Sequence, residues 1–274
     1  MKTTVIGASG FIGRHVVRRL AMLGEVYNTP HRDDSSVYSS PLGHVIYCAG
    51  LTSDFRKRPY DTVRAHVSYL AQLLEKADFE SFLYLSSTRV YSHQSYSSIG
   101  SEEGTLLVDP CHKEELFNLS KLTGESLCLT VDRPNVRIAR VSNVIGNDFE
   151  SSNFIYSIIK DAVNHKKIFL HSALDSEKDY ISVTDVADLL IQISHRGKSN
   201  CYNVASGINV TNGEWVDLIS KITGCSIEVA ENAKSIKFPV LSVEKITNEF
   251  QFSPQHILKM TPELINYYMN GMKG

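Results

Sequence analysis

The chain has 274 residues, 42% of them apolar and 21% charged, with a formal net charge of −2. That composition suits a packed core rather than disorder; without a dense Lys/Arg stretch it lacks the footprint of a nucleic-acid binder, and no apolar run approaches the ~20 residues that span a bilayer. The opening residues 1–6 are too short and too soon interrupted by Gly7 for a secretory signal, and the five cysteines (Cys48, Cys111, Cys128, Cys201, Cys225) form no C-x-x-C pair, which points to reduced thiols in a cytoplasmic protein and to no metal site.

Residues 3–6 are a short β-rich run ending at Gly7. A helical pattern follows from Phe11 to about Leu23, with Ile12, Val16, Leu20 and Leu23 at apolar positions. Gly24 ends it, and 25–28 reads as a second strand. Residues 44–49 form the next strand, closed by Gly50. Val63, Val67, Leu70 and Leu74 mark one face of a helix. A buried strand at 82–85 runs into Ser86-Ser87-Thr88, a helix covers 114–129, and 135–141 is a strand. Strand and helix alternate throughout, which predicts an α/β protein with a doubly wound parallel sheet of Rossmann type. After Gly146 the rhythm changes. Helices are expected at 153–165, 183–195 (with Thr184 as N-cap) and 214–223, a strand ends at 203–207, and short mixed elements follow Lys234.

Gly7-Ala8-Ser9-Gly10-Phe11-Ile12-Gly13 is G-x-x-G-x-x-G between the first strand and the first helix. One glycine permits the tight turn, one lets backbone approach a pyrophosphate, and one lets helix pack close to strand. The helix then offers unpaired N–H groups and a partial positive charge to phosphates. Gly7, Ser9, Gly10, Phe11 and Ile12 are therefore candidate cofactor contacts. At the end of the second strand, where an acidic residue would bond the ribose of NAD, stands Val26-Tyr27-Asn28-Thr29-Pro30-His31-Arg32. His31 and Arg32, with Arg14 past the turn, suit a 2′-phosphate. NADP(H) is favoured over NAD(H). The expected organisation is a dinucleotide-binding domain over 1–146, with 178–206 returning to it, and a smaller C-terminal substrate lobe of 147–177 and 207–274.

Four further stretches carry a resemblance. They are 45–50, ending Cys48-Ala49-Gly50; Ser86-Ser87-Thr88-Arg89-Val90-Tyr91; Phe117-Asn118-Leu119-Ser120-Lys121; and Arg140-Val141-Ser142-Asn143-Val144-Ile145-Gly146 with Lys178-Asp179-Tyr180-Ile181. In order and spacing they resemble the S-S-x-x-V-Y, Y-x-x-S-K, R-x-x-N-V-x-G and R-D-Y-I segments of the extended short-chain dehydrogenase/reductase family. The similarity is to its NAD(P)-dependent nucleotide-sugar epimerases and dehydratases, of UDP-galactose 4-epimerase type, and covers about residues 1–207. It implies an oxidoreductase or isomerase that moves hydride at a sugar hydroxyl or ketone, at the 4-position, in polysaccharide biosynthesis. It places Ala49 and Gly50 against the nicotinamide ribose, with Lys121 holding that ribose. Ser87 would bond the reacting oxygen, and Thr88, Arg89, Asn143 and Lys178 would meet the nucleotide sugar. It implies a homodimer through helices near 63–77 and 114–129. Dehydratases carry Asp-Glu where Thr88-Arg89 stands, so dehydration is disfavoured.

Phe117 departs from the family. The acid/base there is a tyrosine, and its loss typically costs ~10²–10⁴ in rate. An engineered Tyr→Phe change, a substitute acid among Tyr91, His93, Tyr96 and His66, and cofactor binding without turnover all remain open. His66 replaces the asparagine usual in its helix. A second departure is the span from Pro30 to Gly43, too short for a helix, a strand and another helix, so the sheet should lack a strand at one edge. Three functions compete: a nucleotide-sugar epimerase or reductase, a non-catalytic NADP(H)-binding protein, and a reductase of a non-sugar carbonyl.

Overall fold

The computed structural model describes residues 1–52, 54–133, 135–147 and 153–271. The first half alternates as its hydrophobic pattern requires: β1 (Lys2–Ile6), α1 (Phe11–Met22), β2 (Val26–Asn28), β3 (His44–Tyr47), α2 (Pro59–Val63), α3 (Tyr69–Lys76), β4 (Ser81–Ser87), β5 (Ile99–Gly100), α4 (Leu116–Thr130) and β6 (Val136–Val141). There follow β7 (Asn143–Ile145), α5 (Phe154–His165), β8 (Lys167–Ser172), β9 (Glu177–Ser182), α6 (Val183–Arg196) and β10 (Cys201–Val204). The chain closes with β11 (Asn209–Thr211), α7 (Asn212–Thr223), β12 (Ser226–Lys234), β13 (Val240–Leu241), α8 (Glu244–Phe250) and α9 (Thr261–Gly271).

Six strands form one parallel sheet in the order β10-β6-β4-β3-β1-β2. Its central strands are apolar on both faces, as a sheet covered twice must be. Along β4, Phe82 and Tyr84 enter the core under α3 and α4, while Leu83 and Leu85 enter the core under α1 and α6. Side chains alternate across the sheet with a period of two, so one strand feeds both layers. The sheet stops at β2, whose three residues are all exposed. Between β2 and β3 there is only a short 3₁₀ turn, Ser35–Tyr38, which drops Val37 into the core.

A second core gathers Ile155, Tyr156, Ile159, Trp215, Ile219 and Tyr268 from α5, α7 and α9. Beside it lie small sheets, β11-β9-β7 and β12-β8. In β9, residues 177–179 pair with β11 and residues 180–182 pair with β7, and the chain rejoins the flank of the large sheet at Val183. Helix α6 is capped by Ser182, whose side chain accepts from the Asp185 N–H. Thr184, the cap expected from sequence, already lies inside the helix; Ser182 has the extended backbone that a cap needs. No helix among the described residues is long and apolar enough to cross a membrane.

Candidate active site

The glycine turn is built to a tolerance only glycine meets. Gly7 has φ +81°, and a Cβ there would lie 2.7 Å from the Ala49 nitrogen. A Cβ on Gly13 would collide with the Gly7 carbonyl, so α1 starts pressed against β1. Gly10 caps α1 with no side-chain acceptor, and the first turn holds no acid. Its N–H groups are left for an outside anion. Ser9, Gly10, Phe11, Ile12, Gly13 and Arg14 line one end of a cavity of about 990 Å³. Those residues fit the diphosphate of a dinucleotide. Gly7 and Ala49 stand behind that wall, and His31 and Arg32 lie on an exposed turn outside it.

The cavity continues past Cys48 and Gly50 to Ser87, Phe117 and Lys121, then to Asn143 and Lys178. Lys121 and Phe117 come together because they are four residues apart on α4. Lys121 is 6% exposed and donates from Nζ to the Leu85 carbonyl at 2.7 Å. Burial pushes its pKa down to about 7, against the pull of Glu125 and Cys48. A Cβ on Gly50 would sit 3.0 Å from His66 Nε2 and 3.3 Å from Lys121 Nζ. A bare backbone there is what lets His66 and Lys121 pack against it, His66 behind the cavity wall and Lys121 on it.

His66 arrives by a local irregularity. The helix predicted across 63–77 opens into a π-turn at Arg64–Ser68 between α2 and α3, which sets His66 fully inside. Its Nε2 accepts the Leu51 N–H at 3.2 Å, so Nδ1 bears the proton and donates to Ser120 Oγ at 2.8 Å. Ser120 in turn donates to the Phe117 carbonyl at 2.9 Å. Burial, then Lys121, pushes the His66 pKa down to about 2, so the ring stays neutral.

The Phe117 ring is 2% exposed and enclosed. Phe55 packs at 5.4 Å, His66 meets it edge-on at 5.5 Å, and the Arg89 guanidinium lies 5.4 Å from its centroid. Ser87 ends β4 and accepts the Arg89 N–H at 3.2 Å; Thr88 is buried beside it. Asn143 is held by a bond from Nδ2 to the Asp179 carbonyl at 2.8 Å.

Of the four substitute acids, only His93 lines the cavity. The Tyr91 hydroxyl is buried, donates to Asn203 at 2.9 Å and accepts from Arg140 at 2.8 Å, and burial raises its pKa. Tyr96 is 63% exposed and stands outside. His66 has both nitrogens engaged. His93 pairs through Nε2 with Glu115, which also accepts from Asn118. Burial opposes ionisation of Glu115, yet those bonds hold its carboxyl below its usual range. Sequence reasoning missed Phe55, Arg56, Glu114 and Glu115. None belongs to a motif; only folding carries them to the site. Among the described residues no group of three or more His, Cys, Asp or Glu is placed to hold a metal ion.

The model of the NAD dependent epimerase/dehydratase family matches residues 3–205. The chain belongs to that family. Solved structures share the fold of this epimerase/dehydratase over nearly its whole length. MoeE5 in complex with UDP-glucose and NAD superposes with a TM-score of 0.81 at 18% identity, covering 99% of this chain and 100% of its own. UDP-glucose 4-epimerase from Thermotoga maritima, with UDP-glucose, gives 0.81 at 16% identity, with 99% and 100% covered. RMD from Pseudomonas aeruginosa, complexed with NADPH, gives 0.77 at 23% identity, with 98% and 100% covered. No curated protein matches the chain by sequence.

Proposed function

We propose that this member of the epimerase/dehydratase family is an NADP(H)-dependent epimerase or reductase of a nucleotide-activated sugar, acting at the sugar's 4-position. The observation that carries the reading is the single cavity that joins the uncapped start of α1 to Ser87, Lys121, Asn143 and Lys178. Related folds, one solved with UDP-glucose and NAD and another with NADPH, support it. Bound here, the nicotinamide would take up and return hydride.

The chain's own residues supply the rest. The first turn of α1 holds the dinucleotide phosphates. Lys121 and the Gly50 backbone hold the ribose, and the Lys121 charge favours an oxyanion nearby. Ser87 bonds the reacting oxygen. His93, oriented by Glu115, carries the proton that a tyrosine at position 117 would otherwise move. Asn143 and Lys178 meet the nucleotide diphosphate. Thr88 and Arg89 offer no carboxylic acid for dehydration. Arg14 in the cavity wall, and His31 and Arg32 after a strand with no terminal carboxylate, support NADP(H). The reading includes a homodimer through α2–α3 and α4, and a lobe of 147–177 and 207–274 closing over the sugar. Enclosure of the oxygen-free Phe117 ring favours a second reading, dinucleotide binding without turnover.

Conversion of uridine-, thymidine-, guanosine- and cytidine-diphosphate sugars, followed by mass and proton NMR with either cofactor, tests this. Wild type should turn over. His93→Gln should lose ~10²–10⁴ in rate, and Phe117→Tyr should restore it in that background. No conversion by wild type or by Phe117→Tyr leaves the binding-only reading.

A further inference from the structure

The cavity lies past the ends of the parallel strands, at Cys48 and Ser87. The strand starts, at the opposite edge of the sheet, hold two histidines that line no part of it. His44 opens β3 and His195 lies in the last turn of α6. Their side chains are 10% and 9% exposed, and their ring centroids are 4.6 Å apart. Ser81 has one hydroxyl proton and donates it to the Ser194 carbonyl at 2.7 Å. His44 Nδ1 must therefore donate to the Ser81 oxygen, at 2.8 Å. The neutral His44 ring then keeps a lone pair on Nε2, 3.4 Å from a Glu80 oxygen. His195 Nε2 lies 2.9 Å from Thr3 Oγ1 and 3.7 Å from Glu25 Oε2, a buried oxygen with no hydrogen-bond partner among the described residues. Arg137 of β6 donates to the Ser194 carbonyl at 3.3 Å. These bonds tie the end of α6 to the starts of β1, β3 and β4.

The charged groups around the pair leave room for one proton. Glu80, just before β4, favours an imidazolium at His44, and Glu25, just before β2, favours one at either ring. The carbonyl end of α6 acts in the same sense on His195. Against a proton stand burial, which is the largest influence on both rings, and the N-terminal ammonium ahead of β1. The Arg137 guanidinium opposes it at His44, and a charge on His44 opposes it at His195. Together these hold both pKa values below their ordinary value. A second proton would set two imidazoliums side by side where little water reaches, and like charges so close repel.

We propose that His44 and His195 form a proton-sensitive latch: the paired rings hold at most one proton while they pin the last turn of α6 to the base of the sheet, and a second proton releases that turn. The latch stands apart from the cavity and does not depend on the nucleotide-sugar reading. The unfolded chain has no such limit and takes up both protons near the ordinary imidazole value. Opening therefore binds protons, and stability present above that value is lost as the pH falls below it. One excluded proton shifts the folding equilibrium about 10-fold by one pH unit below the ordinary value. His66, fully buried and neutral, adds a slope of its own in the same window, so the latch is read as a difference between two chains that both keep His66.

The test is denaturant unfolding of the full chain from about pH 8 to about pH 5, beside a variant carrying His44→Asn and His195→Gln. The asparagine amide can donate to Ser81 as Nδ1 does, and the glutamine amide can meet Thr3 as Nε2 does, but neither titrates. Between about pH 7.5 and about pH 5.5 the wild-type unfolding constant should rise about 10-fold more than that of the variant. An equal rise in both chains overturns the inference. A second measurement needs no variant: histidine ring NMR of the wild type, with amide hydrogen exchange corrected for the intrinsic pH dependence of the rate. Protection at 191–196 should fall relative to β4 as the second ring takes up its proton. Titration of both rings at the ordinary imidazole value, with protection at 191–196 unchanged, overturns the latch even if the variant fails to fold.

Discussion

Helix α4 buries two charges four residues apart, Lys121 and Glu125, and their surroundings are opposite. Glu125 accepts from Arg140 through Nε at 3.1 and 3.2 Å and through Nη2 at 2.7 Å. Burial alone would lower the pKa of Arg140, but the bonds from its guanidinium to Glu125 hold it above its ordinary value. Tyr91 closes the network by accepting from Arg140 and donating to Asn203. Lys121, one turn earlier, is as deeply buried and has a single carbonyl, that of Leu85. The first charge is matched inside the protein and serves the fold. The second has one carbonyl and the Tyr84 ring beside it and lines the cavity, where a ligand can complete it. An unpaired buried charge is costly, and Lys121 stands beside Gly50 on the cavity wall, where a bound ligand would relieve that cost.

Substitutions on this helix should separate the two. Glu125→Ala leaves Arg140 buried without its partner and should cost about 3–5 kcal/mol in denaturant unfolding. An unchanged midpoint would mean that the pair is not structural. Lys121→Met should act in the other sense on the cofactor-free protein. The folded pKa of Lys121 is about 7, against an ordinary 10.5. Between those values the unfolded chain binds the extra proton, so wild-type stability should rise with pH through that window. Lys121→Met should remove this slope and stabilise the protein at pH 7, on the order of a few kcal/mol, while losing dinucleotide affinity. A slope that persists in the variant would assign it to other groups. Gly124→Ala sharpens the contrast from between the two charges. Its Cβ would press on the Tyr84 hydroxyl and lie 2.9 Å from the His66 carbonyl. It should cost about 1–3 kcal/mol and weaken cofactor binding by displacing Lys121, which thermal unfolding with and without NADP⁺ would report.

Much of this site is legible without coordinates, for physical reasons particular to each part. The glycine turn is local backbone chemistry, so seven residues carry their whole meaning in their order. Lys121 is readable from position 117 because a helix brings residues four apart onto one face. Ser87 is readable only through the resemblance of Ser86-Ser87-Thr88-Arg89-Val90-Tyr91 to a family segment, and the structure sets it at the end of β4 on the cavity wall. Other parts leave no local mark. The π-turn that buries His66 looks like ordinary helix, since Val63, Val67, Leu70 and Leu74 keep an apolar spacing through it. Ser182 displaces Thr184 as the cap of α6 because the preceding strand β9 sets where extended backbone ends. His93 and Tyr96 look alike in a serine-rich loop, yet only one of them faces inward.

By itself the sequence determined the alternation of strand and helix and the glycine turn, which follow from residues close in the chain, where spacing and backbone conformation decide the outcome. Its resemblance to a family named Lys121 and Ser87 as candidates and marked the missing oxygen at residue 117. Only the tertiary structure decided that His93, and not His66, Tyr91 or Tyr96, lines the cavity, and that Phe55, Arg56 and Glu114 gather against Arg89 and Phe117. Those contacts join segments far apart in sequence, and packing between layers, rather than any local preference, chooses which side chains meet.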